Sequence, residues 1–434
     1  MNAQQYPFAH SPYPQVANGL QNDPTPKDQA IYVPSVSQGY AIDVYNQNWK
    51  RPLPQGVGPG DLNFLDPNNQ LFRISHAMTS AGQALNQKQG CIITQRDRQN
   101  TLVIGDSGGY QIASNRMAIN GDQDRLKILR WLENTADVAM TLDVPTGPVL
   151  KGNYKFCSTQ DCLTATLDHL KFFQRHRTPG KVRFLNVLQG NTVAEANAWY
   201  DAVKKYDFEG WAFAGKLRHN VSYFCERIIR MADEGQLQNK SWIHVLGTCE
   251  LETAVLLTAL QRAINRHINP DLRISYDTSS PFRILSFGTA YSIPKFDTKQ
   301  LIISSAKAPD GLEFIGSSLR WPWPSPIGDR MTLGDFCVPR PVTASSQRDG
   351  QSNYYLAHHN LAALCFGIAL ANRVFDSESV NHQHTIAPHV GAAVEAINKV
   401  LKSGAMSELK KYQRTFFHLR HGIAPESGED ERDF

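Results

Sequence analysis

The chain has 434 residues, of which 41% are hydrophobic and 19% are charged, and its formal net charge is +4. This composition is that of a globular protein and excludes a disordered or fibrous chain. Because 44 basic residues face 40 acidic ones, any nucleic-acid footprint has to come from local clusters of charge.

Seven cysteines stand at irregular spacing without a CxxC pair, which is no disulfide framework and indicates a reducing compartment. The first residues lack the basic and apolar regions of a signal peptide. No stretch approaches the roughly 18 apolar residues that cross a bilayer. We therefore expect a cytoplasmic protein without a membrane partner.

Residues 1–60 are rich in Pro, Gln, Asn and Gly and are predicted to form a long, mostly irregular arm. In the main part, residues 61–290, short apolar runs alternate with amphipathic stretches of helical period. The apolar runs lie at 90–94, 101–104, 137–142, 182–188, 210–214, 242–246 and 272–276. The amphipathic stretches lie at about 122–135, 160–177, 192–206, 219–233 and 250–266.

This alternation predicts an α/β fold with a parallel sheet, and seven or eight units predict a closed (β/α)8 TIM barrel. An open doubly wound sheet is the alternative, disfavoured because no glycine-rich dinucleotide turn follows the first strand. Residues 291–350, which include WPWPSP at 321–326, predict an insertion or subdomain after about the seventh strand. Residues 351–425 predict C-terminal helices that complete or flank the barrel, and the acidic residues 426–434 a disordered tail.

Nearly every predicted strand is followed by a polar or glycine-bearing segment, and four of these segments carry Asp106, Asp143, Gln189 and Asp277. In a barrel of this type the strand ends converge on one face, where active sites lie. Each residue alone has an ordinary explanation as a turn residue or a helix cap. Three carboxylates and a glutamine at one face together predict a catalytic set.

The segment VIGDSGGYQIAS at 103–114 resembles the Asp-Ser-Gly-Gly-(Phe/Tyr)-Gln signature of the tRNA-guanine transglycosylase superfamily. Within residues 70–285, LDVP, VLQG, WAFAGK, VLGT and SYD are similar to later family segments in the same order. The chain is most like the DNA 7-deazaguanine transglycosylases (DpdA type) of phages and bacterial DNA-modification clusters. The resemblance implies an eight-stranded barrel and a pentosyltransferase, in the cytoplasm of a bacterium or a phage-infected host.

The resemblance also implies a role for each matching residue. Asp277 would be the nucleophile and Asp106 the general acid/base. Asp143, Gln189 and the backbone at Ala214–Gly215 would bind the guanine edge, and Tyr110 would stack on the base. The remaining expected substrate contacts lie in the same segments, at Ser107, Gly108, Gly109, Gln111, Gly190, Lys216 and Gly247.

These roles agree with the chemistry of a guanine N-glycoside. A carboxylate near C1′ can form a covalent glycosyl-enzyme, as in retaining glycosidases. A second, partly protonated carboxylate can assist the departing base. A buried aspartate such as Asp143 can accept two parallel hydrogen bonds from the N1–H and 2-amino groups of guanine, which adenine does not offer.

The chain departs from the tRNA enzymes where they bind a structural zinc through three closely spaced cysteines and a histidine. Only Cys337 and His359 remain as possible zinc ligands, with His358 and one of His382, His384 or His389 as further candidates. No other cofactor is expected. Because the zinc subdomain helps to hold tRNA, its loss favours DNA as the polymer.

We therefore expect exchange of guanine in DNA for a 7-deazaguanine derivative such as 7-cyano-7-deazaguanine, with the free base and possible DNA-modification proteins as partners. A divergent tRNA-guanine transglycosylase of queuosine or archaeosine type is the alternative, and a retaining glycosidase is the second. A non-catalytic nucleic-acid-binding module would be expected to carry a stronger basic bias than +4.

A base in duplex DNA has to leave the stack before its C1′ is accessible, which calls for basic phosphate contacts and a stacking or wedge residue. Ordinary surface or packing roles are favoured for all the candidates except Lys216, which follows Gly215 at the barrel mouth. The candidates are Lys171, Arg175, His176, Arg177, Lys181, Arg183, Lys216, Arg218, Lys410, Lys411, Arg414, Arg420, Trp321 and Trp323.

Overall fold

The computed structural model describes residues 28–422 except 153, 342 and 381–384. Eight parallel strands form one sheet in the order β1-β8-β7-β6-β5-β4-β3-β2. The strands are β1 (Ile31–Pro34), β2 (His76–Ser80), β3 (Leu102–Asp106), β4 (Val138–Met140), β5 (Arg183–Leu188), β6 (Gly210–Phe213), β7 (Trp242–Val245) and β8 (Arg273–Thr278). A bridge between Ser35 and Met78 joins the two outer strands, and the predicted (β/α)8 TIM barrel is confirmed.

Helices alternate with the strands and continue after the barrel. Those within the barrel are α1 (Gln38–Tyr45), α2 (Ala81–Ala84), α3 (Gly109–Ala113), α4 (Asp122–Thr135), α5 (Thr159–His176), α6 (Val193–Val203), α7 (Val221–Asp233) and α8 (Leu251–His267). After β8 come α9 (Ser280–Arg283), a hairpin of β9 (Thr289–Phe296) and β10 (Leu301–Lys307), and α10 (Leu333–Phe336). The last helices are α11 (Gly350–Val380), α12 (Pro388–Ser403), α13 (Met406–Lys411) and α14 (Gln413–Gly422).

The barrel interior is a packed apolar core, because alternate residues of parallel strands point inward. Its inward-facing side chains include Ile31, Val33, Met78, Ile104, Val138, Met140, Leu185, Val187, Ala212 and Trp242. Polar residues continue this alternation at the carboxyl ends of the strands, where Ser80 follows Met78 and Asp106 follows Ile104. The polar side chains at these strand ends therefore line the mouth of the barrel.

Two sequence predictions for the N-terminal half are wrong. The described part of the predicted irregular arm contains β1 and α1, and β1 is a barrel strand with all four residues buried beside β8. The run at 90–94 is no strand but a turn whose Ile92 N–H donates to Ala41 O of α1 at 3.0 Å. Its apolar residues are buried because they pack beneath α1 and not because they pair in a sheet. Residues 1–27 lie outside the described residues.

The insertion follows the eighth strand, one later than predicted, and opens with the antiparallel β9–β10 hairpin. Helix α11 packs against α8, α9 and β9, while α12 packs against α8. The C-terminal helices α11 and α12 therefore pack against the outer helices of the barrel and the β9–β10 hairpin. The tail at 426–434 lies outside the described residues, and within the described ranges no helix has the length and apolarity that a membrane crossing requires.

Candidate active site

Asp277 lies at the carboxyl end of β8, opposite Val33 of β1, and is 6% exposed. Its Oδ1 accepts a hydrogen bond from the backbone N–H of Gly247 at 2.8 Å and lies 3.3 Å from Nε2 of His244. Gly247 has φ +63°, a backbone conformation that side-chain-bearing residues rarely adopt. The glycine after β7 thus allows the backbone turn that directs this N–H at the carboxylate.

Asp106 ends β3, directly opposite Ser80 of β2. Its Oδ2 accepts hydrogen bonds from Ser80 Oγ at 2.7 Å and from Gly108 N at 3.1 Å. Burial raises the pKa of Asp106 and the negative charge of Asp277 raises it further, while the two hydrogen bonds partly offset this rise. Asp106 therefore holds a proton more tightly than an ordinary aspartic acid.

Asp143 and Gln189 form a pair at the ends of β4 and β5, where they are 4% and 5% exposed. Gln189 Nε2 donates to Asp143 Oδ2 at 2.8 Å. Burial raises the pKa of Asp143 to about 7, with a further contribution from the charge of Asp106, although the hydrogen bond from Gln189 opposes the rise. The electrostatic influence of Asp106 on Asp143, and of Asp277 on Asp106, reflects the closeness of the three carboxyl groups.

The glycines after β5 and β6 bring two loops into close contact beside Gln189. A Cβ added to Gly215 would lie 2.8 Å from Gly190 O and 3.4 Å from Gln189 Oε1. The N–H of Ala214 donates to Leu188 O at 2.9 Å, which extends the β5–β6 pairing by one bond. The predicted base-binding residues of these loops therefore lie next to the Asp143–Gln189 pair.

Two cationic side chains follow Gly215 at the barrel mouth. Lys216 is exposed and begins a 3-10 turn over Lys216–His219. Arg218 Nη1 donates to Gly215 O at 2.7 Å, and its Nη2 would lie 3.7 Å from a Cβ added to Gly247. This guanidinium therefore lies between the loops that follow β6 and β7.

The signature at 106–111 divides into residues that face the mouth and residues that lie behind it. Tyr110 is 42% exposed at the start of α3, and a Cβ added to Gly109 would lie 3.4 Å from Asp143 Oδ1. Ser107, by contrast, is fully buried and donates to Thr141 O at 3.1 Å, while Gln111 is 7% exposed and accepts from Ser80 Oγ at 3.3 Å. Ser107 and Gln111 thus support the site from behind, whereas the sequence pattern predicts direct base contact.

Sequence reasoning missed His244, which is fully buried beneath Asp277. Its Nδ1 lies 2.7 Å from Ser275 Oγ, and the same oxygen accepts from Trp242 Nε1 at 2.7 Å. The available signal was the two-residue period of Trp242–His244 and Ser275–Asp277, which brings all four side chains to one side of paired strands.

The zinc ligands expected by analogy do not form a metal site in the described part of the chain. His359 is buried with Nδ1 at 2.7 Å from Ser325 Oγ and Nε2 at 2.8 Å from Tyr291 O, and the Cys337 thiol donates to Pro309 O. No group of three or more His, Cys, Asp or Glu among the described residues is placed to hold a metal ion. His382 and His384 lie outside the described residues. Cys337 and His359 therefore do not fit the family's zinc geometry.

The other proposed nucleic-acid contacts belong mostly to helices and to the insertion after β8. Helix α5 leads away from the mouth, so the basic run from Lys171 to Arg183 lies near the amino ends of the strands, where Arg177 pairs with Glu209 at 2.8 Å. Trp321 is 5% exposed and packs against Phe336 and His359. Lys410, Lys411 and Arg414 belong to α13 and α14, which pack on α7 and α12, and the side chain of Arg420 lies outside the described part.

Comparison of the chain with protein-family models and with curated proteins gives no match.

Proposed function

We propose that the chain is a DNA-guanine transglycosylase that exchanges guanine in DNA for a free 7-deazaguanine derivative through a covalent glycosyl-aspartate. The observation that carries this proposal is the set of three carboxyl groups at the barrel mouth, each with a different set of partners. Asp277 has the N–H of Gly247 and the ring Nε2 of His244 at one oxygen, Asp106 has a raised pKa, and Asp143 is paired with a carboxamide.

The first half of the reaction needs a nucleophile and an acid. Asp277 forms a bond to C1′ of the target nucleotide while the bond from C1′ to the base nitrogen breaks. The electron pair of that bond leaves with guanine, and Asp106 gives its proton to a ring nitrogen of the departing base. The raised pKa of Asp106 supports this role, because an acid catalyst has to keep its proton near neutral pH.

The second half is the reverse with a different base. The N9–H of the incoming 7-deazaguanine gives its proton to the Asp106 carboxylate as N9 bonds to C1′. The bond from C1′ to Asp277 then breaks, and its electron pair restores the carboxylate. Two displacements at one carbon retain the sugar configuration, as in retaining glycosidases.

Selection of guanine is proposed to depend on Asp143 and Gln189. An ionised Asp143 can accept the N1–H and the 2-amino group of guanine, while Gln189 holds the carboxylate in place. Tyr110, half-exposed at the mouth, supplies an aromatic face on which the base can stack. Adenine would leave the buried Asp143 without a donor pair, which is strongly disfavoured.

DNA is proposed over tRNA because the chain does not reproduce the zinc ligand set of the tRNA enzymes. Lys216 and Arg218 provide positive charge beside the mouth for the phosphates that flank an extruded nucleotide. A divergent tRNA-guanine transglycosylase would use the same three carboxylates. The two proposed enzymes therefore differ only in whether the polymer substrate is DNA or tRNA.

The test is incorporation of radiolabelled guanine by the purified protein, with duplex DNA and unmodified tRNA offered separately. We expect label in DNA, its loss in Asp277→Asn, and wild-type incorporation in Asp168→Asn, whose carboxylate is exposed on α5. Label in tRNA alone would transfer the same chemistry to tRNA and overturn the choice of polymer. Label in neither polymer would contradict guanine exchange itself.

A further inference from the structure

Asp277 is connected by hydrogen-bond contacts to three buried side chains that have no role in the two displacement steps described above. Trp242 Nε1 lies 2.7 Å from Ser275 Oγ, which lies 2.7 Å from His244 Nδ1, and His244 Nε2 lies 3.3 Å from Asp277 Oδ1. His244 and Ser275 are fully buried, and Trp242 is 4% exposed. Polar groups buried this deeply normally serve one another as hydrogen-bond partners.

The direction of these hydrogen bonds follows from the indole N–H of Trp242, which is the first donor in the series. An indole nitrogen can only donate, so Ser275 Oγ accepts from Trp242 and has one hydrogen left to give. His244 Nδ1 is the acceptor for that hydrogen, since Ser275 Oγ has no hydrogen-bond partner other than Trp242 and His244 among the described residues. A neutral His244 then carries its hydrogen on Nε2, which points at Asp277 Oδ1.

The reversed tautomer is disfavoured for two reasons. It would place the lone pair of His244 Nε2 against an oxygen of Asp277, and it would leave the Ser275 hydrogen without an acceptor. Both are costly in a site that water does not reach. The indole of Trp242 therefore fixes the tautomer of His244 through Ser275.

We propose that His244 is a positioning residue that presents Oδ2 of Asp277 to the sugar, a role that rests on the proposed transglycosylase function. His244 Nε2–H and the N–H of Gly247 both bind Oδ1. Oδ2 accepts no hydrogen bond from the described part of the chain and remains the oxygen that attacks C1′. His244 transfers no proton in this scheme and donates to Oδ1 before, during and after the covalent step.

The same bond biases the balance between the free and covalent enzyme. Oδ1 belongs to a charged carboxylate when Asp277 is free and to a neutral ester when Asp277 is joined to the sugar. A hydrogen bond to a charged acceptor is the stronger of the two. His244 therefore stabilises Asp277 as a leaving group in the second half of the reaction.

The test compares two amide substitutions, His244→Gln and His244→Asn. Glutamine carries its N–H about as far from the backbone as His Nε2, whereas asparagine is one methylene too short to reach Asp277. We expect the His244→Gln variant to retain most of the wild-type kcat for guanine exchange. The His244→Asn variant should have a kcat about 10- to 100-fold lower, because a misplaced nucleophile reacts slowly. The KM for the free base should stay unchanged in both, because Asp143 and Gln189 bind the base.

A second measurement is the fraction of enzyme bound covalently to DNA at equilibrium with guanine. This covalently bound fraction should be higher in the His244→Asn variant than in the wild type, and it should stay near the wild-type value in the His244→Gln variant. Equal kcat values for the two variants, or a base KM that rises as kcat falls, would overturn the positioning role. If the wild-type protein exchanges no guanine at all, the proposed transglycosylase function is wrong. If the wild-type protein exchanges guanine and His244→Asn is fully active, only the positioning role of His244 is wrong.

Discussion

Gln189 donates its side-chain amide to Asp143 at 2.8 Å across the ends of two neighbouring strands, and both residues are more than nine-tenths buried. The pKa of Asp143 is nevertheless raised to about 7, because burial outweighs this one hydrogen bond. The carboxyl group that is proposed to bind the base therefore titrates near neutral pH in the free protein. Guanine, with two donors, would favour the ionised form.

The affinity for free base should therefore rise with pH. Only the ionised Asp143 accepts both guanine donors, so the KM for guanine should fall as pH rises through about 7. Asp143→Asn should remove this pH dependence and weaken base binding about 10- to 100-fold, because hydrogen bonds to a charged acceptor are lost. Initial rates at several guanine concentrations from pH 5.5 to 8.5 measure both effects. A pH slope that persists in Asp143→Asn would contradict the assignment.

The same group should weaken the folded state at high pH. A carboxyl group whose pKa is raised on folding binds its proton more tightly in the folded protein, so its stability contribution is lost as pH rises from about 4 to about 7. Asp143→Asn should therefore gain stability over the wild type, on the order of 4 kcal/mol above pH 7 and little at pH 4. Urea unfolding at pH 4.5 and pH 8 checks this, and an equal difference at both pH values would refute it.

Ser80 should set the pH range in which Asp106 acts as an acid. Its hydrogen bond favours the ionised form of Asp106, so Ser80→Ala should raise the pKa of Asp106. Because Asp106 has to be protonated to release guanine, the decline in the rate of guanine release at high pH should move to higher pH. The control is Ser107→Ala, a buried serine that donates to a backbone carbonyl. A shift to lower pH, or equal shifts in both variants, would be incompatible with this role.

Removal of metal should leave exchange unaffected. Both ring nitrogens of His359 are engaged by Ser325 and Tyr291, and burial lowers the pKa of His359 to about 4, as expected for a neutral structural histidine. We expect guanine exchange to survive dialysis against a strong chelator. Metal analysis of the purified protein should find far less than one zinc per chain. One tightly bound zinc that is lost in Cys337→Ser would contradict the hydrogen-bonded arrangement.

The long helices were predictable because their signals are local. The amphipathic stretch at 122–135 coincides with α4, and Ser158 caps the start of α5, where its Oγ accepts a hydrogen bond from the N–H of Asp161. Strand β1 was missed because its four residues, IYVP, lie within the stretch rich in Pro, Gln, Asn and Gly that was predicted to be irregular. Strand β2 was missed for a different reason. In β2 the polar residues His76, Thr79 and Ser80 interrupt the apolar pattern, although Met78 packs in the barrel interior.

The site was predictable to the extent that it lies at strand ends. Asp106, Asp143, Gln189 and Asp277 come together because the carboxyl ends of parallel strands meet at one face. His244 and Ser80 were not predicted because the partner of a polar residue inside a strand cannot be identified until the strand register is known. Only the pairing of His244 with Ser275, and of Ser80 with Asp106, shows which carboxylate each one serves.

The central claim is a covalent bond between Asp277 and the sugar, and the most direct measurement is to capture it. The protein is incubated with end-labelled duplex DNA, freed of released guanine, denatured and separated on a denaturing gel. We predict labelled DNA that migrates with the wild-type protein, disappears when guanine is added back before denaturation, and is absent with Asp277→Asn. Guanine exchange by the wild type without any Asp277-dependent protein–DNA adduct would contradict the account.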